Sequence, residues 1–302
     1  MTAPARAHDA VATIDAAIVA YERKALVFET LPLLLACPQI RRVIVVDNAS
    51  ADGLAREGPA LFPQVHWIPL AHNEGCTAWN HAAAHADAPF LLILDDDCVP
   101  DLTSLAAAQR RMDREPDVGL AVFNVIDERT GASEWGRFED VDGRSGWANA
   151  IGACMLARLD AFRAVGGYKD FFLCFNDLDL ALSLWEASYR VVYDASWRAL
   201  HKKKRGARPR RLYFEVRNLS ATAIGHVAWL PALAVIGNYA LRALPDVRGQ
   251  RDLLDIARGL HHGFAMGRLQ RRGVRGRIPA RVRRLFYANF LLGRRFAGRS
   301  PS

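Results

Sequence analysis

Apolar positions in the first half of the chain fall into short blocks of two alternating kinds. Residues 14–20 form a brief, nearly unbroken apolar run, 42–46 a β-branched run that ends at Asp47, and 65–70 and 90–94 two more. Runs of this length without polar alternation suit strands buried on both faces. Between them, 24–37 and 77–86 carry apolar residues three and four apart, the spacing of one helix face. A helix over 102–112 and a strand over 118–125 continue the series. This alternation predicts right-handed crossovers and a largely parallel α/β sheet of the nucleotide-binding type.

The pattern breaks at 127–147, a stretch rich in Gly, Asp, Glu and Ser that reads as a loop or hairpin near a substrate site. A strand over 151–156 follows, then a short helix over 159–165 closed by Gly166-Gly167. Asp177 or Leu178 opens a helix reaching about Ser188, and 190–193 is a strand. The most hydrophobic segment, 227–241, is short, contains Pro231 and Asn238, and is followed by Arg242. A membrane span needs about 20 apolar residues, so this segment predicts an interfacial or core helix.

Asp95-Asp96-Asp97 stands at the end of the apolar run 89–94. Ligands of parallel sheets bind beyond the carboxyl ends of the strands, where this cluster falls. Three adjacent charges raise one another's pKa and cost stability. A hard cation removes that repulsion and keeps coordination sites open for a diphosphate. The plainer reading is one helix cap and two solvated neighbours. Asp47, with Asn48 and Ser50 beside it, ends another strand and can accept from a base N–H or a ribose hydroxyl, though this is also a good turn. Asn73, Gly75 and Asn80 surround a helix start suited to a phosphate, and capping explains them nearly as well.

In Phe175-Asn-Asp-Leu-Asp179, Asn176 is a candidate cap, and Asp177 and Asp179 lie in a first turn whose dipole favours the ionised form. A carboxylate kept ionised beside Phe171, Phe172 and Phe175 can serve as a general base toward a hydroxyl. Two acids that only stabilise a helix start would look the same. His201 offers an imidazole to Mn²⁺-like ions. The basic run 202–205 suits a diphosphate or a solvated face.

Composition adds bounds. The 302 residues are about half apolar and a quarter charged, which fits one large globular domain or a domain with an appendage. Five scattered cysteines within apolar stretches read as reduced thiols, and 1–12 lacks the apolar core of a secretory signal. The net charge of +8 is uneven: no acid follows Asp255, whereas twelve arginines do, interleaved with aromatic residues. Such a tail seeks phospholipid headgroups or nucleic acid, unless it is simply a solvated basic helix.

Taken in order, Val45-Val-Asp-Asn-Ala-Ser50, Asn73-Glu-Gly75 with Asn80, Leu94-Asp-Asp-Asp97, Gly152-Ala-Cys-Met-Leu156, Val165-Gly-Gly-Tyr168, Asn176-Asp-Leu-Asp-Leu180, His201, Tyr213 and Arg217-Asn218 resemble family 2 glycosyltransferases of the GT-A fold. The rhamnosyltransferase-like and galactofuranosyltransferase-like members are the nearest in kind, and the resemblance covers 14–220. It implies a GT-A domain over 1–225 and a helical, Arg-rich extension over 226–302. It implies that Asp47 contacts the base or ribose of a nucleotide sugar, Asp95 the ribose, and Asp97 a Mg²⁺ or Mn²⁺ ion on the diphosphate, with His201 as second ligand. Asn48, Ser50, Asn73, Gly75, Asn80, Asp96, Gly152 and Asp179 would line the substrate site. Asp177 matches the base of an inverting transfer.

The partners so implied are a dTDP- or UDP-sugar and a glycan or lipid-linked acceptor. The acid-free, aromatic tail makes 226–302 a membrane-associating or acceptor-binding extension and adds an anionic membrane surface, with nucleic acid not expected; the location it suggests is cytoplasmic and peripheral on the inner membrane face. Three positions depart from the family pattern: Asn176 replaces an acidic residue, Ser183 an Arg, and Glu22 an Asn. A nucleotidyltransferase would show a Gly-rich basic loop after the first strand, which Tyr21-Glu-Arg-Lys24 lacks. Asn176 and Ser183 are what would favour a degenerate scaffold.

Overall fold

The computed structural model describes residues 13–134, 152–202, 210–271 and 278–291. Its first part alternates as expected: β1 (Ile14–Ala20), α1 (Lys24–Leu35), β2 (Ile40–Asp47), α2 (Leu54–Leu61), β3 (His66–Pro69), α3 (Ala78–His85) and β4 (Phe90–Asp95). Then come β5 (Cys98–Pro100), α4 (Leu102–Arg114), β6 (Val118–Asp127), β7 (Cys154–Arg158), α5 (Leu159–Ala164), α6 (Asn176–Glu186) and β8 (Arg190–His201). Four further helices lie among the described residues: α7 (Arg211–His226), α8 (Trp229–Ala243), α9 (Gln250–Arg271) and α10 (Ala280–Leu291).

The eight strands among the described residues join one sheet in the order β3-β2-β1-β4-β7-β6-β8-β5. The first four are parallel. The sheet is mostly parallel, as expected, with two reversed strands that were not: β7 runs against both β4 and β6, and β5 runs against β8, while β6 and β8 are parallel. Strands such as β6 are buried along almost their whole length whichever way the neighbours run, so hydrophobicity carries no sign of direction. The reversal places the start of β7 beside the carboxyl end of β4, where the Asp95 N–H donates to the Ala153 carbonyl at 3.1 Å.

Strand β8 is longer than the predicted 190–193. Its register against β6 shifts beyond Tyr193, where Asp194 accepts from the Ser196 N–H and hydroxyl, a local turn inside a strand. Beyond it Trp197, Ala199 and His201 alternate inward, delivering His201 to the strand end. The strand predicted from residue 151 begins at Cys154, and residues 135–147 of the expected 127–147 loop lie outside the described residues.

Helices α1, α2 and α4 cover one face of the sheet through Val27, Leu31, Leu54, Leu105 and Met112. Helices α3, α5 and α6 cover the other, and α7, α8 and α10 add Leu219, Val235, Phe286 and Phe290 to that same core. The buried faces of α8 and α10, beyond residue 225, therefore continue the core of the sheet. Helix α9 lies backbone to backbone on α7: a Cβ on Gly263 would sit 2.4 Å from the Arg217 carbonyl oxygen, and one on Gly259 2.9 Å from that of Tyr213. No described helix is long and apolar enough to cross a membrane.

Two glycine substitutions should act with opposite signs. Gly263→Ala forces α9 off α7, an overpacking that costs about 1–3 kcal/mol and lowers the melting temperature. Gly237→Ala in α8 meets nothing within 4 Å, so it gains helix propensity and raises stability by roughly 0.5–1 kcal/mol. Calorimetric melting of both variants checks the pair.

Candidate active site

Strand β4 ends at Asp95, and the chain turns through Asp96 and Asp97 into β5, whose Cys98 pairs with His201 across the sheet edge. Asp97 is almost wholly buried, and its carboxylate lies 3.0 Å from the His201 Nε2. The other ring nitrogen of His201 meets Glu134 at 2.6 Å. Burial disfavours charge on this ring, but the hydrogen bonds to Asp97 and Glu134 outweigh it and push its pKa up to about 11. Ligand atoms of Asp95, Asp97 and His201 lie within 4.8 Å of one another. Two carboxylates and an imidazole within that radius fit a cation of the Mg²⁺ or Mn²⁺ kind.

Arg23, just beyond β1, donates from one guanidinium nitrogen to Asp96 at 3.0 Å and to Asp97 at 2.7 Å. Burial pushes the Asp96 carboxyl up to about 7, with the Asp97 and Asp95 charges adding to it and the Arg23 charge opposing. The repulsion expected of three aspartates is thus met inside the fold by an arginine and a charged histidine. Neither Arg23 nor Glu134 stood out in the sequence, because each becomes informative only beside its distant partners.

Asp177 arrives by an unusual turn. Cys174 and Phe175 both have left-handed backbones, φ 68° and 58°, immediately before α6. Such conformations cost of order 1–3 kcal/mol each in non-glycine residues. Buried Asn218 of α7 holds the turn, its amide donating to the carbonyls of Leu173 at 2.6 Å and Cys174 at 2.9 Å. Phe175 occupies the cap position, which corrects the expectation for Asn176. Asn176 is instead the first helical residue and donates its side-chain amide to Asp177 at 3.0 Å.

The Asp177 carboxylate also accepts from the Tyr168 hydroxyl at 2.9 Å and from the Gly152 backbone. Its pKa is nevertheless pushed up to about 7, chiefly by burial and further by the Asp95 charge, against those hydrogen bonds. The helix dipole was expected to keep it ionised, and desolvation wins. Gly152 has no alternative side chain, since a Cβ there would meet the Asp177 oxygens at 2.5 and 2.6 Å.

Asp179, two residues on, points away into a buried ionic chain. It is 2.8 Å from the Lys169 ammonium and 3.0 Å from His226, whose far nitrogen meets Glu186 at 2.8 Å. These cations hold its pKa down in spite of burial. Lys169 also donates to Ser183 at 3.2 Å. The positive charge that Ser183 was expected to remove from this helix is therefore present, supplied by the residue after Gly-Gly-Tyr168.

The remaining residues of the expected site bind one another and the neighbouring backbone. Asp47 ends β2, one strand from β4's neighbour β1, and accepts from the Ser50 N–H at 2.9 Å. With β1 between them, the ends at Asp47 and Asp95 are roughly 10 Å apart. Asn48 bridges the Gly75 carbonyl and the Glu74 N–H, and Asn73 accepts from the Gly75 N–H. Ser50 accepts from the N–H of Glu22, whose carboxylate accepts from Ala51, so the departure at Glu22 closes a loop clasp. Asn80 gives both amide atoms to the Tyr168 backbone and so sets the residue that holds Asp177.

This architecture is the GT-A fold of glycosyltransferases. Residues 15–166 match the profile of glycosyl transferase family 2, and the chain belongs to that family. It is a glycosyltransferase. Among curated proteins it is similar to the N-acetylglucosaminyl-diphospho-decaprenol L-rhamnosyltransferase of Mycobacterium tuberculosis, with 28% identity over 219 residues, covering 57% of this chain and 69% of that protein. Among solved structures, GalNAc-T7 with UDP, GalNAc and Mn²⁺ superposes with a TM-score of 0.66 at 12% identity, covering 92% of this chain and 57% of that one. S. aureus TarS 1-349 in complex with UDP-GlcNAc gives 0.61 at 13%, covering 90% and 83%. The mannosyltransferase PcManGT from Pyrobaculum calidifontis, with GDP-Man and Mn²⁺, gives 0.53 at 19%, covering 96% and 76%. At these identities the structural likeness is one of fold.

Arg23 and a divalent cation address the same carboxylates, so they should compete. Arg23→Gln is expected to lower the melting temperature of the protein alone and to enlarge the increment that Mn²⁺ adds. An unchanged Mn²⁺ increment would show that Arg23 does not oppose cation binding.

Proposed function

We propose that this protein transfers a sugar, with inversion, from a nucleotide-diphosphate sugar to a hydroxyl of a lipid-linked glycan acceptor, with Mg²⁺ or Mn²⁺ as cofactor. The observation that carries the reading is the arrangement of Asp177, at a pKa near 7, and the Asp95-Asp97-His201 donor set, joined through residues 152 and 153. The names of a decaprenol-linked rhamnosyltransferase and of Mn²⁺-bound neighbours support the acceptor class and the cofactor. A dTDP- or UDP-sugar is the donor proposed.

In this reading Asp97 and Asp95, with His201 once its ring has given up a proton, would hold the cation, which would supply Lewis-acid stabilisation of the charge on the departing diphosphate. Asp47 and Asn48 border the nucleoside end, and Asp96 stays paired to Arg23. Asp177 takes the proton of the acceptor hydroxyl as that oxygen forms its bond to the anomeric carbon and the carbon–diphosphate bond breaks on the opposite face. Tyr168 and Gly152 aim the carboxylate. A base with pKa near 7 is well matched to neutral pH, because it is substantially ionised there and still binds a proton. The enzyme would work on the inner face of the membrane, where its Arg-rich extension meets anionic lipid.

The base must be ionised, so kcat/KM should fall as pH drops below about 7. Asp177→Asn should lose roughly 10²–10⁴-fold in kcat with the fold intact. Tyr168→Phe removes a hydrogen bond to the ionised form, so the acid limb should move upward by roughly one unit. Transfer assays across pH check all three, and an Asp177→Asn enzyme with parental kcat would refute the assignment.

A further inference from the structure

Helix α8 has two apolar faces, and only one is covered. Ala232, Val235, Ile236 and Ala243 are buried against the protein. Tyr239 lies on that side, its ring meeting Phe175 edge-on at 5.7 Å. At 100° per residue, Leu230, Leu233, Ala234, Gly237 and Leu241 share an arc of roughly 100° on the opposite side. All five are exposed, Leu230 by 82% and Leu241 by 68%, and exposed Trp229 and Leu244 extend the strip at its ends. Core packing does not explain this face, nor does it carry the charges of an ordinary solvated helix.

Charge identifies the occupant. No acidic residue occurs between Glu215 and Asp246. From residue 226 onward the chain has fifteen arginines, no lysine and three aspartates. One of these aspartates, Asp255, is buried and paired with Arg210 at 3.0 Å. Exposed Arg242, Arg248 and Arg251 stand at the C-terminal end of the strip. A protein partner would call for about one hydrogen bond per 100–200 Å² of interface, yet the arc from Leu230 to Leu241 offers no polar side chain. Hydrocarbon bordered by anionic headgroups asks for what this surface has, an apolar strip with cations at its edge.

We infer that the exposed face of α8 lies in the plane of an anionic bilayer, with Leu230, Leu233 and Leu241 immersed and Arg242, Arg248 and Arg251 among the headgroups. At 15 residues α8 is about 22 Å long, too short for a hydrocarbon core of about 30 Å, so it rests along the interface. Its other face touches Phe175, two residues before Asp177, so the bilayer surface comes within about one helix diameter, roughly 10 Å, of the base-bearing turn. A hydroxyl on a lipid headgroup can then reach Asp177 while its tail stays in the membrane. This deepens the proposed function and rests on its lipid-linked acceptor.

The test is flotation of the full-length protein with phosphatidylcholine vesicles, with and without phosphatidylglycerol. The parent is compared with Leu230→Gln/Leu233→Gln/Leu241→Gln, a variant at exposed helical positions whose fold is checked by melting. The inference expects parental binding to the anionic vesicles and a loss of about tenfold or more in the triple variant. Transfer to a water-soluble acceptor analogue should stay at the parental rate while transfer to an acceptor embedded in vesicles falls. Equal flotation of parent and variant overturns the docking face. So does loss of a parental dimer in light scattering without change in flotation, which would make the strip a contact between copies. If flotation responds but neither protein transfers sugar to any acceptor, the docking face stands and the proposed function fails.

Discussion

The site depends on a contact made by backbone rather than by side chains. Residues 152 and 153 pass between the two carboxylates that matter most. Ala153 accepts from the Asp95 N–H, and Gly152 donates to Asp177 from a distance at which even a methyl group would collide. Because β7 runs against β4, the start of one strand meets the end of the other. Had β7 been parallel, its N-terminal residues would lie at the far edge of the sheet, and the parts carrying Asp95 and Asp177 would have no common wall.

Around that wall the acidic residues are given distinct states by distinct neighbours. Asp97 is locked between Arg23 and a charged His201, Asp96 is buried with only Arg23 to oppose its desolvation, and Asp179 is neutralised by Lys169 and His226. Among the described residues Asp177 has no ion pair, and it is served by a hydroxyl, an amide and a backbone N–H. Hydrogen bonds without a compensating charge leave desolvation partly unopposed, and that is what carries its pKa to about 7. Pairs of carboxylates driven apart in pKa by their surroundings are how one fold separates an acid–base role from an electrostatic one. The strained turn at Cys174 and Phe175 belongs to the same economy, since it is the tertiary bond from Asn218 that keeps Asp177 in place.

Much of this was legible in the sequence wherever local pattern and tertiary role coincide. The strand over 14–20 matches β1 to the residue, and strands ending in Asp47 and Asp95 put both carboxylates on one sheet edge. Legibility failed where partners are remote. The charge that offsets Ser183 comes from Lys169, the residue that restrains the Asp177 turn comes from Asn218 more than forty positions on, and the cation facing the aspartates comes from Arg23. Strand direction was hidden for a different reason, because a strand buried on both faces looks the same among parallel and antiparallel neighbours. The dipole argument for Asp177 and Asp179 was sound in kind, yet it is a surface-scale effect set against burial, and burial dominates for Asp177.

The C-terminal helices are part of what holds the site in place. Helix α7 carries Asn218 and is itself seated by the glycine stripe of α9, so packing more than forty residues beyond Asp177 sets the position of its carboxylate. The central claim is that one wall separates a cation site from a base. Anomalous diffraction from crystals grown with Mn²⁺ and a nucleoside diphosphate tests it most directly. The account predicts a Mn²⁺ peak bounded by Asp95, Asp97 and His201, with the terminal phosphate directed toward the space before Asp177 and no Asp177 oxygen in the coordination sphere. A peak on Asp177, or Mn²⁺ bound to the diphosphate away from Asp97 and His201, would contradict it.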